Sequence, residues 1–332
     1  MGRDNPIKRC VQTVLEGAAI FLMLTAAAGA QRTWQTKELK ASDWPKEIVE
    51  ENRDDAANGL PDGLVTTHKG GDIAKAWYGS PTQRYGHGVL GDGIEAGSLH
   101  VQTQAGKRLN LVLPRLEVFE DRYPRLADLD GDGKVEIITI RSSLTKGASV
   151  TVYGLLGGAI VEKAATGFYG RKNRWLNIAG IAPFLGITGK EIAFVQTPHI
   201  GGDLFFLRYS RGKLIQLGAG KDFSNHVSGS RELRLSAAAD VDNDGRAELA
   251  LPSADRKSLR IVGLTAKVSR VSSNGTSGAV ITGHQNDSNG GLKELARIDL
   301  PSPIDKAIGI ETNNPKGFVV GLEDGSVHLI HQ

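Results

Sequence analysis

The chain has 332 residues, 40% of them hydrophobic and 23% charged, with a formal net charge of +3. That length and apolar fraction support a sizeable buried core, in one large domain or two smaller ones. The small charge and the lack of any basic run exclude a surface built for nucleic acid or for anionic membrane, and a single cysteine, Cys10, excludes a disulfide framework.

In chain order, Arg3, Lys8 and Arg9 precede an apolar segment from Ala18 to Ala28, and Ala28-Gly29-Ala30 follows before Gln31. A basic start, an apolar stretch and small residues at alternate positions predict a signal peptide over residues 1–30, cleaved after Ala30. The apolar run is short for a transmembrane helix, so the expectation is a periplasmic or extracellular protein without stable membrane insertion. Cys10 leaves with the signal, and the mature chain can form no disulfide. Residues 31–62 are polar, with Trp34 and Trp44 among charges, and read as an N-terminal extension holding at most a short helix.

Residues 63–332 repeat themselves. Apolar strand-like runs separated by Gly-rich or acidic turns recur from near Arg84, Pro124, Trp175, Leu233 and Asp305, at intervals of roughly 40 to 60 residues, the length a four-stranded propeller blade needs. The expected fold is all-β: a β-propeller of four-stranded blades, five in number, with six or seven as the alternative. The fifth unit lacks a fourth strand at the C-terminus. Ile73-Ala74-Lys75-Ala76-Trp77-Tyr78 is the expected N-terminal closing strand, which would cover exposed sheet edges by pairing with the C-terminal strands. A stretch rich in Ser, Asn and Gly, 267–291, reads as an insertion in the fourth unit.

Two turns carry the strongest chemistry. Asp128-Leu129-Asp130-Gly131-Asp132-Gly133-Lys134-Val135-Glu136 and Asp240-Val241-Asp242-Asn243-Asp244-Gly245-Arg246-Ala247-Glu248 both fit D-x-D-x-D-G-x-x-E. Closely spaced carboxylates repel one another unless they surround a cation, and oxygen ligands suit Ca²⁺. The expected ligands are Asp128, Asp130, Asp132 and Glu136 with the carbonyl of Lys134, and Asp240, Asp242, Asp244 and Glu248 with the carbonyl of Arg246. An EF-hand is excluded, because its bidentate Glu comes at the twelfth position between helices, whereas here it comes at the ninth, before a β-rich run. The stretches 88–95 and 177–194 keep the rhythm without the aspartates and are expected to be degenerate loops that have lost the metal.

These units resemble FG-GAP repeats, also called VCBS repeats, of integrin-α-like propellers. The combination of Arg84-Tyr85-Gly86-His87, Asn173-Arg174-Trp175, Thr197-Pro198-His199 and Asn225-His226 is similar to exported bacterial FG-GAP proteins. The resemblance spans nearly everything after Leu60 and implies a calcium-stabilised propeller with two Ca²⁺ sites, of a kind often used to bind proteins or sugars; it implies no particular reaction.

In such a fold the metal loops share one face. The opposite face is expected to receive Arg84, Tyr85, His87, Arg171, Asn173, Arg174, Trp175, His199, Asn225, His226, Arg231 and Glu232. They would either form a concave ligand site or tie the blades together, with Trp175 between sheets and Arg231 paired to Glu232. His87, His199 and His226 could also meet at a transition metal or act as general bases. No nucleophile elbow, H-E-x-x-H or phosphate loop is present, so the expectation is a binding or adhesion module for a protein or carbohydrate, without enzymatic activity. The alternatives are a propeller hydrolase acting on glycans and a chiefly structural scaffold.

Overall fold

The computed structural model describes residues 33–44, 58–265, 267–273, 276–282 and 291–332, and only the backbone of 267–273 and 276–282. The expected signal peptide lies outside the described residues. Trp34–Gln332 forms one compact unit. Its described residues are all-β, with antiparallel strand pairing and one short 3-10 turn at Ala41–Asp43.

After β1 (Gln35–Leu39), the strands fall into five consecutive groups. The first is β2 (Thr66–Thr67), β3 (Ile73–Thr82), β4 (Glu95–Thr103) and β5 (Arg108–Val112). A connector strand, β6 (Glu117–Phe119), pairs with both β4 and β8 and so joins the first two groups into one nine-stranded sheet. The second group is β7 (Arg125–Ala127), β8 (Glu136–Ser143), β9 (Gly147–Leu156) and β10 (Ala159–Ala165). The third is β11 (Leu176–Ala182), β12 (Glu191–Gln196), β13 (Asp203–Ser210) and β14 (Lys213–Gly220).

The fourth group begins with β15 (Ala237–Ala239), β16 (Glu248–Pro252) and β17 (Ser258–Leu264). A hairpin of β18 (Lys267–Ser273) and β19 (Thr276–Thr282) then intervenes before β20 (Leu292–Asp299), which pairs with β17. The insertion expected at 267–291 thus lies between the third and fourth strands of its sheet. The fifth group is β21 (Gly309–Glu311), β22 (Gly317–Gly321) and β23 (Val327–His331), completed by β1 in the order β1-β23-β22-β21.

Two expectations are corrected here. The strand that completes the C-terminal sheet is β1, with Gln35 opposite His331 and Leu39 opposite Val327, and not Ile73–Tyr78, which lies in β3 between β2 and β4. The reason is burial: a second strand flanked on both sides is apolar, whereas β1 is an edge strand, nearly all exposed, whose pairing is carried by its backbone. The first group also begins near Thr66, so the stretch 88–95, expected to be a degenerate metal loop, instead lies in the connection from its second to its third strand and at the start of the latter.

Burial follows position within each group. Second strands such as β16 and β22 are buried at every residue, whereas β5 and β20 alternate or lie exposed. Apolar residues of successive groups pack face to face. Ile73, Leu99 and Val101 meet Ile137 and Tyr153; Ile138 and Val150 meet Ile178 and Phe194; Val195 and Phe206 meet Leu249 and Val262; Ala250 and Ile261 meet Phe318 and Val320. Each fully buried aliphatic or aromatic side chain contributes about 1.5–3 kcal/mol. Because the strands in each group alternate in direction, first-to-second and third-to-fourth connections leave one end of the sheets. Second-to-third connections and those between groups leave the other, and this sorts the polar residues into two sites.

Candidate functional site

The metal-type loops join the first and second strands of the second and fourth groups. In each, residues one, three and nine converge: the ligand oxygens of Asp128, Asp130 and Glu136 lie within 4.8 Å of one another, as do those of Asp240, Asp242 and Glu248. The loop backbone folds around the first aspartate. Asp128 accepts the amides of Gly131 and Gly133 at 2.7 and 3.0 Å, and Asp240 accepts those of Asp244 and Gly245 at 3.1 and 3.0 Å. The fifth-position acids stand outside these groupings: Asp132 accepts Lys134 N and Asp244 accepts Arg246 N, both at 2.8 Å. Glu136 and Glu248 are buried and accept the amides of Leu129 and Val241 at 2.9 and 3.0 Å. Burial, with the neighbouring aspartates, pushes each carboxyl up to about 7. Each site therefore gathers carboxylates that favour a cation.

The third group has no such grouping of acids at the corresponding turn among the described residues. Glu191 occupies the same place: it is fully buried, and its Oε2 accepts Leu185 N at 3.1 Å, matching the bonds from Leu129 to Glu136 and from Val241 to Glu248. Here the positive charge is built into the chain. Arg208, opposite Glu191 across β12 and β13, pairs with Glu191 Oε1 and donates to Thr188 O at 2.9 Å. Continuing the register of β8–β9 and β16–β17 by one residue places Gly154 opposite Glu136 and Gly263 opposite Glu248. Where the aspartates are present, the facing position is glycine; where they are absent, it is arginine. The two acidic loops thus lack the guanidinium that faces Glu191 in the third group, and their carboxylates could hold a cation in its stead.

The first acidic loop also touches its neighbours. Lys190 N donates to Leu129 O at 3.0 Å, and Asp72 accepts Val135 N at 2.9 Å. Gly189, at φ +91, lies so close that a Cβ there would sit 2.4 Å from Leu129 O, an approach open only to glycine. Lys316 Nζ reaches Asn243 Oδ1 of the second acidic loop at 2.6 Å.

At the other end, His87, Asn173, Arg174 and His199 line a recess of about 210 Å³ together with Ile200 and Ser228. His87 comes from the β3–β4 connection, Asn173 and Arg174 from β10–β11, His199 from β12–β13, and Ser228 from β14–β15. Behind the recess the residues lock together. His87 Nδ1 donates to Glu120 Oε1, Ser142 Oγ donates to Glu120 Oε2, and Trp175 Nε1 donates to Glu120 O at 2.9 Å. Burial raises the Glu120 carboxyl, and the His87 and Ser142 hydrogen bonds oppose that rise. Glu95, buried close by, is also raised, by burial and by the Glu120 charge. His87 Nε2 makes no hydrogen bond among the described residues and stands at the recess, as an oriented proton-transfer group does.

His199 and His226 form a second unit. Their ring nitrogens are 2.9 Å apart, and His226 Nε2 donates to Ser230 O at 2.9 Å. That fixes His226 Nδ1 as the acceptor of the His199 Nε2 proton. Burial, then the neighbouring His199, pushes the His226 imidazole down to about 3.

The sequence-expected set therefore divides. Arg171, Asn173 and His199 are exposed, and His87 and Arg174 half-buried. Tyr85, Trp175, Asn225 and His226 are buried; Trp175 packs in the core against His226 at 4.7 Å and His199 at 6.1 Å and contributes to the floor of the recess. Arg84 donates to Glu117 O at 3.1 Å. The expected Arg231–Glu232 pair is corrected: Arg231 binds Asp62 and Asp92, while Glu232 binds Arg234 at 2.7 Å, because each acid lies nearer a different guanidinium. The three histidines do not gather as metal ligands among the described residues. Sequence reasoning missed Glu120 as the partner of His87 and missed Arg208 altogether.

No family model and no curated protein matches the chain. Among solved structures it is similar to a rhamnogalacturonan lyase of Bacillus licheniformis at 18% identity, over 60% of this chain and 42% of that one, with a TM-score of 0.38; the chain thus spans less than half of that lyase. It is also similar to the exotype rhamnogalacturonan lyase YesX, at 14% identity over 82% and 74% of the two chains, and to the rhamnogalacturonan lyase YesW, at 13% over 82% and 73%, both with a TM-score of 0.38. The expectation of no enzymatic activity is corrected at this point. The solved structures named above are all lyases, and the expectation is not retained. At these TM-scores the likenesses fix neither reaction nor substrate. Among the described residues no helix is long and apolar enough to cross a membrane.

Proposed function

We propose that this chain is an exported five-bladed β-propeller of the FG-GAP kind, clasped by two calcium ions, that engages a carbohydrate at the end opposite the metal loops. Three features support the architecture: five successive four-stranded groups, face-to-face packing of each group on the next, and a cavity of about 300 Å³ where residues on or beside the first strands of four groups meet, among them Thr66, Leu126, Ile178 and Ser236. Calcium would be held by Asp128, Asp130 and Glu136, and by Asp240, Asp242 and Glu248. The observation that carries the ligand reading is the recess itself, where the planar polar groups of His87, Asn173, Arg174 and His199 surround the apolar edge of Ile200; sugars present hydroxyls and C–H faces to such mixed surfaces. A glycan array probed with the full chain tests it. Binding that is lost in His199→Ala supports the reading, and an array without signal overturns it.

A second reading, action on the bound glycan, is favoured by the orientation of His87 by Glu120. Product analysis of array-positive glycans incubated with the protein, compared with His87→Gln, tests this. Cleavage that survives the substitution would remove His87 from the chemistry.

A further inference from the structure

The rim of the recess has a charge asymmetry that narrows the ligand class. Arg171 and Arg174 make no side-chain ion pair or hydrogen bond among the described residues, although the arginines around them are engaged: Arg84 with Glu117 O, Arg231 with Asp62 and Asp92, and Arg234 with Glu232. Of the three neighbouring cations Arg171, Lys172 and Arg174, Arg174 lines the recess itself, while Arg171 and Lys172 adjoin its lining residue Asn173 in the chain, the Lys172 ammonium 5.8 Å from the Tyr85 ring centroid. No carboxylate lines the recess. Glu120 is committed to His87 and Ser142, and Glu232 to Arg234. An unpaired guanidinium presents a rigid fork of donors that matches a carboxylate, and it stands here at a concave site and not on a flat surface.

We propose that the recess selects acidic glycans, with Arg174 receiving a sugar carboxylate while Asn173 and His199 meet neighbouring hydroxyls. The proposal rests on the carbohydrate reading above and adds the charge of the ligand. Carbohydrate hydroxyls alone would be served by neutral amides; a guanidinium adds charge complementarity to an anion.

The test is calorimetric titration of the full chain with two polymers of one backbone, polygalacturonate and its methyl ester, which differ in charge and not in linkage. Polygalacturonate is expected to bind at least about tenfold tighter, a difference of about 1.4 kcal/mol. Arg174→Gln is expected to remove that preference, and about 1 M salt to erase most of it by screening. Arg174 has no structural partner, so an unchanged melting temperature in the variant confirms that the fold is intact. Equal affinity for both polymers, or a preference that persists in both Arg174→Gln and Arg171→Gln, overturns the proposal and leaves the carbohydrate reading standing. Silence with both polymers, alongside glycan-array signals for neutral sugars only, overturns it too. A blank array removes the carbohydrate reading itself.

Discussion

The Glu191–Arg208 pair can be broken and repaired. Arg208→Met removes the guanidinium and leaves Glu191, which has no solvent exposure, with the backbone amides of Leu185 and Phe184 alone. Removing one partner of a buried ion pair costs 3–5 kcal/mol; because the Arg208 side chain is 12% exposed, the low end applies, about 3 kcal/mol. At roughly 2 °C per kcal/mol for a domain of this size, the melting temperature should fall by about 6 °C. Adding Glu191→Gln to that variant removes the uncompensated charge and should restore most of the loss. The pH dependence has a definite sign. Burial already raises the Glu191 carboxyl, and Arg208 opposes the rise. Without Arg208 the folded value climbs further above the unfolded one of about 4.3, so stability is lost as pH rises from there towards the folded value. Differential scanning calorimetry at pH 5 and pH 8 should show the smaller deficit at pH 5. A loss under about 1 kcal/mol at pH 8, or no recovery in the double variant, would refute the dependence of Glu191 on Arg208.

Calcium at 100 times its dissociation constant should stabilise the protein by about 2.7 kcal/mol per site, and a chelator should reverse this. Asp130→Ala with Asp242→Ala should abolish the response, and a melting temperature indifferent to calcium in the parent protein would contradict two metal clasps. For His226 the folded value of about 3 lies below the unfolded 6.5, so the unfolded state binds the extra proton between them. Stability is complete above pH 6.5 and falls by about 1.4 kcal/mol per unit as pH drops towards 3. His226→Gln, whose amide can still accept from His199 and donate to Ser230 O, should flatten that slope by the same amount in urea titrations, and an unchanged slope would show that His226 titrates freely.

How much of this was legible in the sequence depended on whether the signal was local. The acidic loops were legible because carboxylate spacing is fixed along one turn, and the strands of the second group because the stretch 135–138 and the centre of β9 are rich in β-branched apolar residues. The closing strand was not: Gln35-Thr36-Lys37-Glu38-Leu39 has no apolar alternation, since an exposed edge strand contributes backbone hydrogen bonds and little burial. The recess was half legible. Counting strands brings loops such as those of Asn173 and His199 together, but the partner of His87 is Glu120 on the connector after β6, and nothing in the spacing of 33 residues announces it. Glu191 and Arg208 are 17 residues apart and meet only through strand register. With hindsight, a glycine opposite each metal-loop glutamate and an arginine opposite the third was a readable contrast, visible only once the strands were aligned.

The pairing of β1 with β23 also has a kinetic side. Its two strands are separated by about 300 residues of chain, so β1 is among the first described segments to be made and must wait for the last before it can pair. Contacts this distant in sequence close slowly, because the loop entropy is spent before the pairing returns anything. Docking of β1, with Leu39 and Trp44 settling on Val319, Val327 and Leu329, is therefore placed at the end of folding. The same strand is the natural first seam to open, so how long the native state survives is set by the grip of five residues at one edge.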